Sequence, residues 1–363
     1  MKIIHCADIH LGSNMKTHLP EERADERRSE LRAAFVRLLD EASRIGAQAV
    51  ILAGDVFDCD HPVRRDREFF FNALRQKPEI RFFYLRGNHD ASGLVPEGIE
   101  NLFLFSADAW KTYTFDGVSV SGIELTRENS RSLYSTMPRP DSAVNIAVLH
   151  GQVAESPAQM VVCPKKFRGQ GFDYLALGHV HAYAENYLDE RDPAGGKYCY
   201  CGCLEGRGFD EPGEHGYVLI DTDEKTATGE LFTRFVPFAK RKINEYTVDV
   251  SGAENAFRAA CLADEAADCP PQDMARVILR GNVSFDNEGL AREVAARMEG
   301  KCWCISVKDR TRRRIRPEDY LGDLSLRGEF IRTVMGDANL TEEEKENVIS
   351  VGLRVLSGRG SEV

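Results

Sequence analysis

Five short groups of polar residues, each at the end of an apolar run, constrain this chain more than any other feature of its sequence. The groups are Asp8-Ile9-His10, Gly54-Asp55, Gly87-Asn88-His89-Asp90, His150-Gly151 and Gly178-His179-Val180-His181. The apolar run before each group is typical of a buried strand. Strand ends are where α/β proteins usually place their chemistry. The pattern therefore predicts an α/β fold in which several strand ends meet at one point.

Glycine and histidine are concentrated in these groups. Glycine lets the backbone turn sharply where a strand ends, so that side chains from separate strands can converge. The five groups also contain five of the nine histidines of the chain: His10, His89, His150, His179 and His181. Histidines that serve only to fill a core would not be expected to follow strand ends. We therefore interpret the five groups as parts of one site.

The residue types in the groups are those that bind a pair of divalent cations. Imidazole nitrogens, carboxylate oxygens and an amide oxygen together suit manganese, iron or zinc. Paired metals of this kind hydrolyse phosphate esters by activating water and by neutralising charge on the phosphoryl group. A single group such as Asp8-Ile9-His10 is more typical of an ordinary surface. The order and context of all five groups favour the metal site.

Length and charge set outer limits on fold and function. The chain has 363 residues, which is enough for one large domain and a smaller one. Its formal net charge of −11 argues against binding a nucleic acid through the overall field. A polyanionic substrate would be held by bound metals and by basic clusters such as Arg64-Arg65, Lys165-Lys166-Arg168 and residues 310–316. Each cluster could equally be a solvated surface.

The sequence indicates neither a membrane span nor a signal peptide, so we expect a cytoplasmic protein without a membrane partner. The ten cysteines are scattered, and several lie in apparent core strands. We therefore expect reduced thiols. Cys199, Cys201 and Cys203 alternate along the chain, but the usual two-residue spacing of a zinc site is missing. We interpret these three as packing or loop residues.

Periodicity divides the chain into a large α/β region and a small α+β region. Helices predicted at about 21–44 and 64–75 separate the first three strands, which favours a parallel sheet covered by helices. The β-rich runs that follow predict a second, more antiparallel sheet: 112–115, 118–123, 217–221 and 230–236. Composition changes near residue 240, where a compact pattern of strands and helices begins.

The last part of the chain has helical spacing. Leu326, Phe330 and Val334 would form an apolar stripe, able either to meet a partner helix or to pack on its own domain. Thr341 with Glu344 predicts a capping box that opens a final helix.

In their order, the five groups resemble those of the calcineurin-like metallophosphoesterase superfamily over about residues 1–235. The stretches Ala7-Asp8-Ile9-His10-Leu11-Gly12 and Gly54-Asp55-Val56-Phe57-Asp58 are most similar to SbcD-type exonuclease subunits of DNA repair. The resemblance implies a four-layer αββα sandwich with a small α+β capping domain and C-terminal helices. The corresponding limits are 1–240 for the nuclease domain, 241–316 for the capping domain and 317–363 for a helical segment that docks an ATPase.

The resemblance also implies roles for individual residues. It gives one metal to Asp8, His10 and His181, the other to Asn88, His150 and His179, and a bridging role to Asp55. Manganese is the implied metal, with iron or zinc as alternatives. His89 would protonate the leaving oxygen or stabilise the transition state, and Asp58 would orient His89. We expect Arg207 to contact a phosphate and Asp90 to support a loop.

The implied activity is two-metal hydrolysis of DNA by an exonuclease, with an SbcC-like coiled-coil ATPase as partner and a homodimer as a further association. A phosphatase or phosphodiesterase for a small nucleotide or phosphate ester is the main alternative, because it would keep every metal ligand. The chain could also act chiefly as a partner-binding subunit.

Two departures from relatives bear on these alternatives. Phosphoprotein phosphatases follow the second motif with Arg-Gly and end the third in Glu, whereas this chain has Cys59 after Asp58 and Asp90 after His89. That class therefore fits less well. Relatives usually carry a Pro-Gly-Ser-like turn near the substrate, where this chain has Tyr200-Cys201-Gly202-Cys203.

Overall fold

The computed structural model describes residues 1–15, 19–59, 61–90, 96, 98–158, 160–227, 229–314 and 322–356. It divides into two compact units, Met1–Ile243 and Asn244–Val363. Within these described ranges, no helix combines the length and the apolar character that crossing a membrane requires. All ten cysteines are unpaired.

The first unit consists mainly of strands, with two α-helices near its start. The helices are α1 (Glu21–Ile45) and α2 (Arg64–Arg75). The strands are β1 (Lys2–Cys6), β2 (Ala47–Ala53), β3 (Arg81–Leu85), β4 (Leu102–Leu104), β5 (Lys111–Phe115), β6 (Val118–Gly122), β7 (Val144–His150), β8 (Gln152–Val153), β9 (Val161–Val162), β10 (Tyr174–Gly178), β11 (Ala184–Tyr187), β12 (Lys197–Tyr200), β13 (Gly216–Lys225) and β14 (Leu231–Pro237).

Twelve of these strands form two six-stranded sheets, and β8 pairs with β9 separately. The first sheet is parallel from β1 to β4 and antiparallel at β13 and β14. The first has the order β14-β13-β1-β2-β3-β4 and the second the order β11-β12-β10-β7-β6-β5. In the second sheet, β6, β7, β10 and β12 pair in parallel, and only its edge strands are antiparallel. The expectation of a more antiparallel second sheet therefore holds only at its edges. The runs predicted at 217–221 and 230–236 form β13 and β14, which belong to the first sheet.

Four layers result, as predicted for a metallophosphoesterase sandwich. One apolar core lies between the sheets and includes Ile51, Phe83 and Val148. A second lies between the first sheet and the α-helices, where the buried stripe of α1 contributes Phe35 and Leu38. The outer face of the second sheet is covered by loops and short 3-10 helices, including Leu133–Ser135 and Pro164–Phe167. The fourth layer is therefore irregular.

The second unit is a small α+β arrangement followed by two helices. Its elements are β15 (Ile243–Asp249), α3 (Ala256–Ala266), β16 (Met274–Arg280), β17 (Asn282–Val283), α4 (Leu290–Arg297), β18 (Cys304–Asp309), β19 (Arg312–Arg313), α5 (Leu326–Met335) and α6 (Glu342–Leu356). The predicted capping box is present, because Glu344 N–H donates to Thr341 Oγ1 and Thr341 N–H donates to Glu344 Oε2. The predicted limit at 316/317, and the end of the basic cluster 310–316, lie outside the described residues.

Candidate metal centre

The five polar groups meet where β1, β2, β3, β7 and β10 end. Ligand atoms lie within 4.8 Å of one another in each of two clusters, Asp8 with His10 and His181, and Asp55 with His150 and His179. We call the first cluster the first metal position and the second cluster the second metal position. The strands that carry them run in parallel within each sheet, so their carboxyl ends share an edge.

Asn88 adds an amide oxygen to the second position, and Asp55 lies between the two positions. Asp55 Oδ2 lies 3.3 Å from His150 Nε2 and 4.0 Å from His10 Nε2, so this carboxylate faces both positions. Asn88 Oδ1 lies 3.1 Å from His150 Nε2 and 3.1 Å from His179 Nδ1. All seven residues predicted as metal ligands are therefore brought together. Their assignment as ligands stays a prediction.

Four of these residues have a strained backbone. The φ angles are 52° at Asp8, 51° at His10, 51° at Asp55 and 98° at His179. Residues other than glycine rarely adopt positive φ, which costs roughly 1–3 kcal/mol each. Such strain persists only where the surroundings fix the chain. It lets side chains at strand ends turn toward one point.

Hydrogen bonds between the groups provide that fixation. Both carboxylate oxygens of Asp8 accept from the His179 N–H at 3.0 Å, and Asp55 Oδ1 accepts from the His89 N–H at 2.9 Å. Asp90 accepts from the backbone N–H groups of three residues, namely Val56, Phe57 and Gly87. The predicted loop-supporting role of Asp90 is thus confirmed.

Two glycines make the close approach of the groups feasible. A Cβ atom added to Gly54 would lie 2.2 Å from His150 Nδ1, and one added to Gly87 would lie 2.1 Å from Asp55 Oδ1. Any side chain at either position would displace a candidate ligand. Gly54 also has a φ of 94°, which favours glycine.

The first metal position brings two hydrogen-bond acceptors face to face. His181 Nδ1 lies 2.7 Å from Glu211 Oε1 and His10 Nδ1 lies 2.9 Å from Asp58 Oδ1, so the neighbouring carboxylates favour the tautomer with its proton on Nδ1. Each Nε2 then presents a lone pair, and the two Nε2 atoms are only 3.1 Å apart. A shared cation relieves the repulsion between such lone pairs. The donor set therefore fits a metal ion.

The second metal position leads to the same result. His150 Nδ1 lies 2.9 Å from the Ala53 carbonyl oxygen and donates to it, so Nε2 is the atom left for a metal. Nε2 faces two acceptors, Asp55 Oδ2 and Asn88 Oδ1, which a proton on Nε2 satisfies in the metal-free chain and a cation would satisfy in its place. Nitrogen and oxygen acceptors converging in this way suit a divalent cation.

On the metal-free chain, the charges of these groups shift one another. Burial raises the pKa of Asp8, although the nearby histidines oppose the shift. Burial acts to raise the pKa of Asp55 as well, but its neighbours, above all the hydrogen bond from His150, together have the larger effect and lower the pKa of this carboxyl. Burial acts to lower the pKa of His150, but its neighbours, above all the carboxylate of Asp55, together have the larger effect and raise this pKa to about 9. A proton therefore occupies His150 where a metal would bind.

The structure places Asp58 differently from the prediction. A parallel bridge between Leu11 and Phe57 sets Asp58 beside the first polar group, where its Oδ1 lies 2.9 Å from His10 Nδ1. We predicted that Asp58 orients His89, but the contact is with a candidate metal ligand. The His89 side chain is exposed, and its ring meets that of His10 edge-on with 5.4 Å between centroids.

Arg207 also lies elsewhere than expected. Its guanidinium is largely buried, with Nη1 2.9 Å from Asp58 Oδ1 and Nη2 2.7 Å from Glu211 Oε1. It therefore sits behind the histidines and links the two carboxylates that hold them. The buried Arg27 of α1 donates to the Gly206 carbonyl and so fixes the peptide that precedes Arg207. The predicted phosphate contact of Arg207 gains no support from this position.

Sequence reasoning missed Glu211. Burial opposes its ionisation, but the contacts with His181 and Arg207 outweigh burial and lower the pKa of this carboxyl. The only signal in the sequence is an acid four residues after Arg207, which is too common to be used alone.

The alternating cysteines are buried packing residues in the structure. Cys199, Cys201 and Cys203 are fully buried, and Cys203 Sγ lies 3.2 Å from His215 Nδ1. Among the described residues, neither candidate metal cluster contains a cysteine. The turn between them brings Gly202 against the metal centre, because a Cβ there would lie 2.8 Å from the His181 carbonyl oxygen.

Comparisons with known proteins agree with this geometry. A sequence model of the family Calcineurin-like phosphoesterase matches residues 1–183, half of the chain. The chain is 28% identical over 273 residues to "Uncharacterized metallophosphoesterase YhaO" of Bacillus subtilis, covering 70% of this chain and 64% of that protein. It is 26% identical over 257 residues to "DNA double-strand break repair protein Mre11" of Methanopyrus kandleri, covering 61% of this chain and 54% of that one.

A further Mre11 protein, from Saccharolobus solfataricus, is 27% identical over 199 residues, covering 50% of this chain and 49% of its own length. This chain thus spans less than two thirds of each of these three relatives. Among solved structures, the crystal structure of TT1561 of Thermus thermophilus gives a TM-score of 0.39 at 14% identity, covering 64% of this chain and 98% of that one. That likeness is too slight to support an inference.

Proposed function

The chain belongs to the calcineurin-like phosphoesterase family, and from this premise we propose that it is a metal-dependent phosphodiesterase that acts on DNA as an SbcD-like nuclease. The family supports metal-dependent hydrolysis of phosphate esters in general. DNA as the substrate is a more specific proposal. Its support is the similarity to relatives that are named for DNA double-strand break repair.

One observation supports the catalytic part of the proposal. At each metal position, histidine Nε2 atoms and carboxylate or amide oxygens converge on one point. We assign the first metal to Asp8, His10 and His181 and the second to Asn88, His150 and His179, with Asp55 shared. When bound, the cations, which the resemblance implies to be manganese, supply an activated water and neutralise charge on the phosphoryl oxygens. The chain contributes the positions and tautomers of the ligands.

His89 has the position of a proton donor in this proposal. Its backbone is anchored through Asp55 Oδ1, while its side chain is exposed beside His10. An exposed imidazole at the edge of the centre can reach the leaving oxygen of a bound phosphodiester. General acid catalysis of this kind contributes about 10² to 10⁴ in rate.

A basic segment of the second unit supports a polyanionic substrate. Arg310, Arg312, Arg313 and Arg314 are all exposed, and the backbone of this segment pairs with β16 and β17. In an extended chain, Arg310, Arg312 and Arg314 project to one side. Such a row offers the local positive charge that a chain of net charge −11 needs for binding a phosphate backbone.

The C-terminal helices support a protein partner, which we propose to be an SbcC-like coiled-coil ATPase. The stripe predicted from Leu326, Phe330 and Val334 is only partly available. Val334 is 8% exposed and packs with Ile331 and Ile349 inside the unit, whereas Leu326 is 72% exposed.

Helix α6 adds its own exposed apolar row. Val348, Val351 and Val355 are spaced for one side of the helix and are 40%, 51% and 61% exposed. Replacing all three with serine should abolish binding of such an ATPase while hydrolysis of a simple phosphodiester is retained. The homodimer, the cytoplasmic location and the three domain limits remain predictions.

One experiment tests the main proposal. The chain is purified with manganese and offered linear DNA, a mononucleotide and a phosphopeptide in parallel. The proteins compared are the wild type, His89→Ala and His61→Ala, which changes an exposed histidine that belongs to neither candidate metal cluster. We expect DNA cleavage that falls by about 10² to 10⁴ in His89→Ala only. Metal content, measured by mass spectrometry, should not change. Turnover of the mononucleotide alone would favour the small-ester alternative.

A further inference from the structure

A small cavity opens beside the second metal position. Its volume is about 240 Å³, and its lining includes Asn88, His150 and His179. The lining also includes Arg86 and two apolar side chains, Leu125 and Met160, which we call the apolar wall. A group attached to a phosphate at the metals would therefore have a space beside it that is lined by both polar and apolar side chains.

The apolar wall does not suit a phosphate. Met160 is 37% exposed, and Leu125 is half-buried. Thioether and aliphatic groups pack well against flat aromatic rings. An apolar wall beside a phosphoryl site therefore matches a nucleobase with its sugar.

Charge in the lining favours the same occupant. Arg86 is held by Glu124 in a two-pronged ion pair, with Nε 2.7 Å from Oε1 and Nη2 2.8 Å from Oε2. The carboxylate offsets the guanidinium, so the cavity offers little net positive charge for a second phosphate. An uncharged ring is the better match for this space.

The apolar wall is fixed rather than adaptable. Met160 has a φ of 56°, which is strained for a side chain of this kind. It directly precedes β9, which pairs with β8 and accepts from the Tyr134 hydroxyl at Val161 O. The same hydroxyl accepts from the Cys163 N–H at 2.8 Å. Strain persists because these bonds hold the segment on one side.

The shape of the cavity depends on the missing side chain of Gly151, which belongs to its lining. A Cβ atom added to Gly151 would lie 3.0 Å from Leu125 Cδ2, so a larger residue would displace the apolar wall. The Tyr200 hydroxyl donates to the Gly151 carbonyl at 2.8 Å and fixes this peptide. The volume of the cavity is below the roughly 300–1,000 Å³ of pockets for drug-sized ligands, so it suits one nucleoside better than a base pair.

We propose that Leu125 and Met160 form the wall of a nucleoside pocket, which receives one unpaired nucleoside attached to the phosphate undergoing hydrolysis. This inference rests on the proposed phosphodiesterase function and specifies its substrate. A nucleotide within a duplex would have to leave its partner to enter, as happens when enzymes act on extruded bases. Frayed or unpaired ends are therefore the preferred substrates.

The test compares two esters with the same leaving group, thymidine 5′-(p-nitrophenyl) phosphate and methyl p-nitrophenyl phosphate. The variants are the wild type, Met160→Ala, the double variant Leu125→Ala/Met160→Ala, and Val63→Ala as a control that removes an exposed apolar side chain elsewhere. We expect the wild type to prefer the nucleoside ester in kcat/KM. The double variant should lose about tenfold of that preference, the scale of removing one base-stacking contact. Turnover of the methyl ester should be unchanged.

A binding measurement gives a readout independent of turnover. Thymidine 5′-monophosphate and methyl phosphate are titrated into the manganese-loaded protein by calorimetry, and the double variant should lose affinity for the nucleotide only. Met160 is exposed, so Met160→Ala tests the pocket even if the double variant folds poorly.

The failures of the two proposals differ. A wild type that hydrolyses both esters without preference, or a preference that survives in the double variant, overturns the pocket and leaves the phosphodiesterase function standing. A metal-loaded wild type that hydrolyses neither ester overturns both.

Discussion

The two metal positions are supported from behind by different chemistry. At the first, the Nδ1 atoms of His10 and His181 face the carboxylates of Asp58 and Glu211. Arg207 joins those two carboxylates into one charged network. At the second, His150 Nδ1 faces only the neutral carbonyl oxygen of a backbone peptide.

Exposure differs mainly at the amide ligand. Each position has two buried members, Asp8 with His10 and Asp55 with His150, but the exposed Asn88 of the second position borders the cavity. A carboxylate behind a histidine fixes its ring and strengthens it as a ligand. We therefore expect the first position to retain its metal more firmly. The second, with weaker support and an exposed amide ligand, is the one that we expect to contact the substrate.

Loss of Asp55, the carboxylate that both positions share, should have the largest effect. It should weaken metal binding at both positions alike. Asp55→Asn replaces a charged oxygen facing both positions with a neutral amide, so we expect weaker metal binding at both. Phosphodiester hydrolysis should fall at least about 10³-fold, since even one missing electrostatic contact in a transition state costs about 10² to 10³. Metal stoichiometry by mass spectrometry and a rate assay measure both effects.

Asp116→Asn is the matched control for Asp55→Asn. Asp116 also has a positive φ, of 45°, but lies in the turn between β5 and β6 with a mostly exposed side chain. It should keep two metals and full activity. Two metals retained in Asp55→Asn would contradict the shared role of this residue.

Removal of the support at the first position should separate the two positions. In Glu211→Gln, His181 keeps a hydrogen-bond partner but loses the charge behind its ring, and Arg207 loses an ion pair. We expect affinity for the first metal to fall about 10- to 100-fold, the usual cost of removing such a group. Affinity for the second metal should change little, as followed by calorimetric titration.

Glu214→Gln serves as the control for Glu211→Gln, because Glu214 is exposed and contacts Lys242 outside the metal centre. An equal loss at both positions in Glu211→Gln would show that Glu211 acts through general stability and not through His181.

The dependence of metal binding on pH should sharpen the comparison. Burial disfavours protonation of His150, but Asp55 outweighs it and raises the pKa to about 9 in the metal-free chain. Below that pH a metal must displace the proton, so affinity at the second position should rise by up to about tenfold per pH unit and level off above about 9. Calorimetry in two buffers of different ionisation enthalpy measures the proton released.

Metal binding at the first position should also depend on pH. Burial acts to lower the pKa of His181, but its neighbours, above all Glu211, together have the larger effect and raise it. Glu211→Gln should therefore flatten the pH dependence of the first position and leave that of the second unchanged. A second position whose affinity stays flat from neutral pH up to the pKa of His150 would contradict the proton on this residue.

The sequence predicted the ligands better than their supports, for a physical reason. Asp8, His10 and the other ligands follow apolar runs at strand ends, and this local pattern is visible in one dimension. Glu211 and Arg207 lie in an irregular loop whose partners, such as Asp58, are far away in the chain. Their roles depend on tertiary contacts that no local spacing encodes.

The same reasoning explains what was predicted of the fold. The bounds of α2 and the capping box at Thr341 follow from local periodicity and local hydrogen bonds. The assignment of β13 and β14 to the first sheet could not be read in that way, because β13 pairs with β1 at the other end of the unit. Strand alternation indicates that a strand exists but does not name its neighbour.

The smallest expected effect concerns a neutral hydrogen bond next to the second position. Tyr200→Phe removes the hydroxyl that donates to the carbonyl of Gly151, the residue that follows His150. Because no charge is involved, the free energy of unfolding should fall by only about 1 kcal/mol, as urea denaturation would measure. Tyr187→Phe removes an exposed hydroxyl near Glu230 and should cost less than about 0.5 kcal/mol. Both variants should bind two metals, because neither contact touches a ligand. Loss of a metal in Tyr200→Phe would contradict this and show that the hydrogen bond to Gly151 supports the second position.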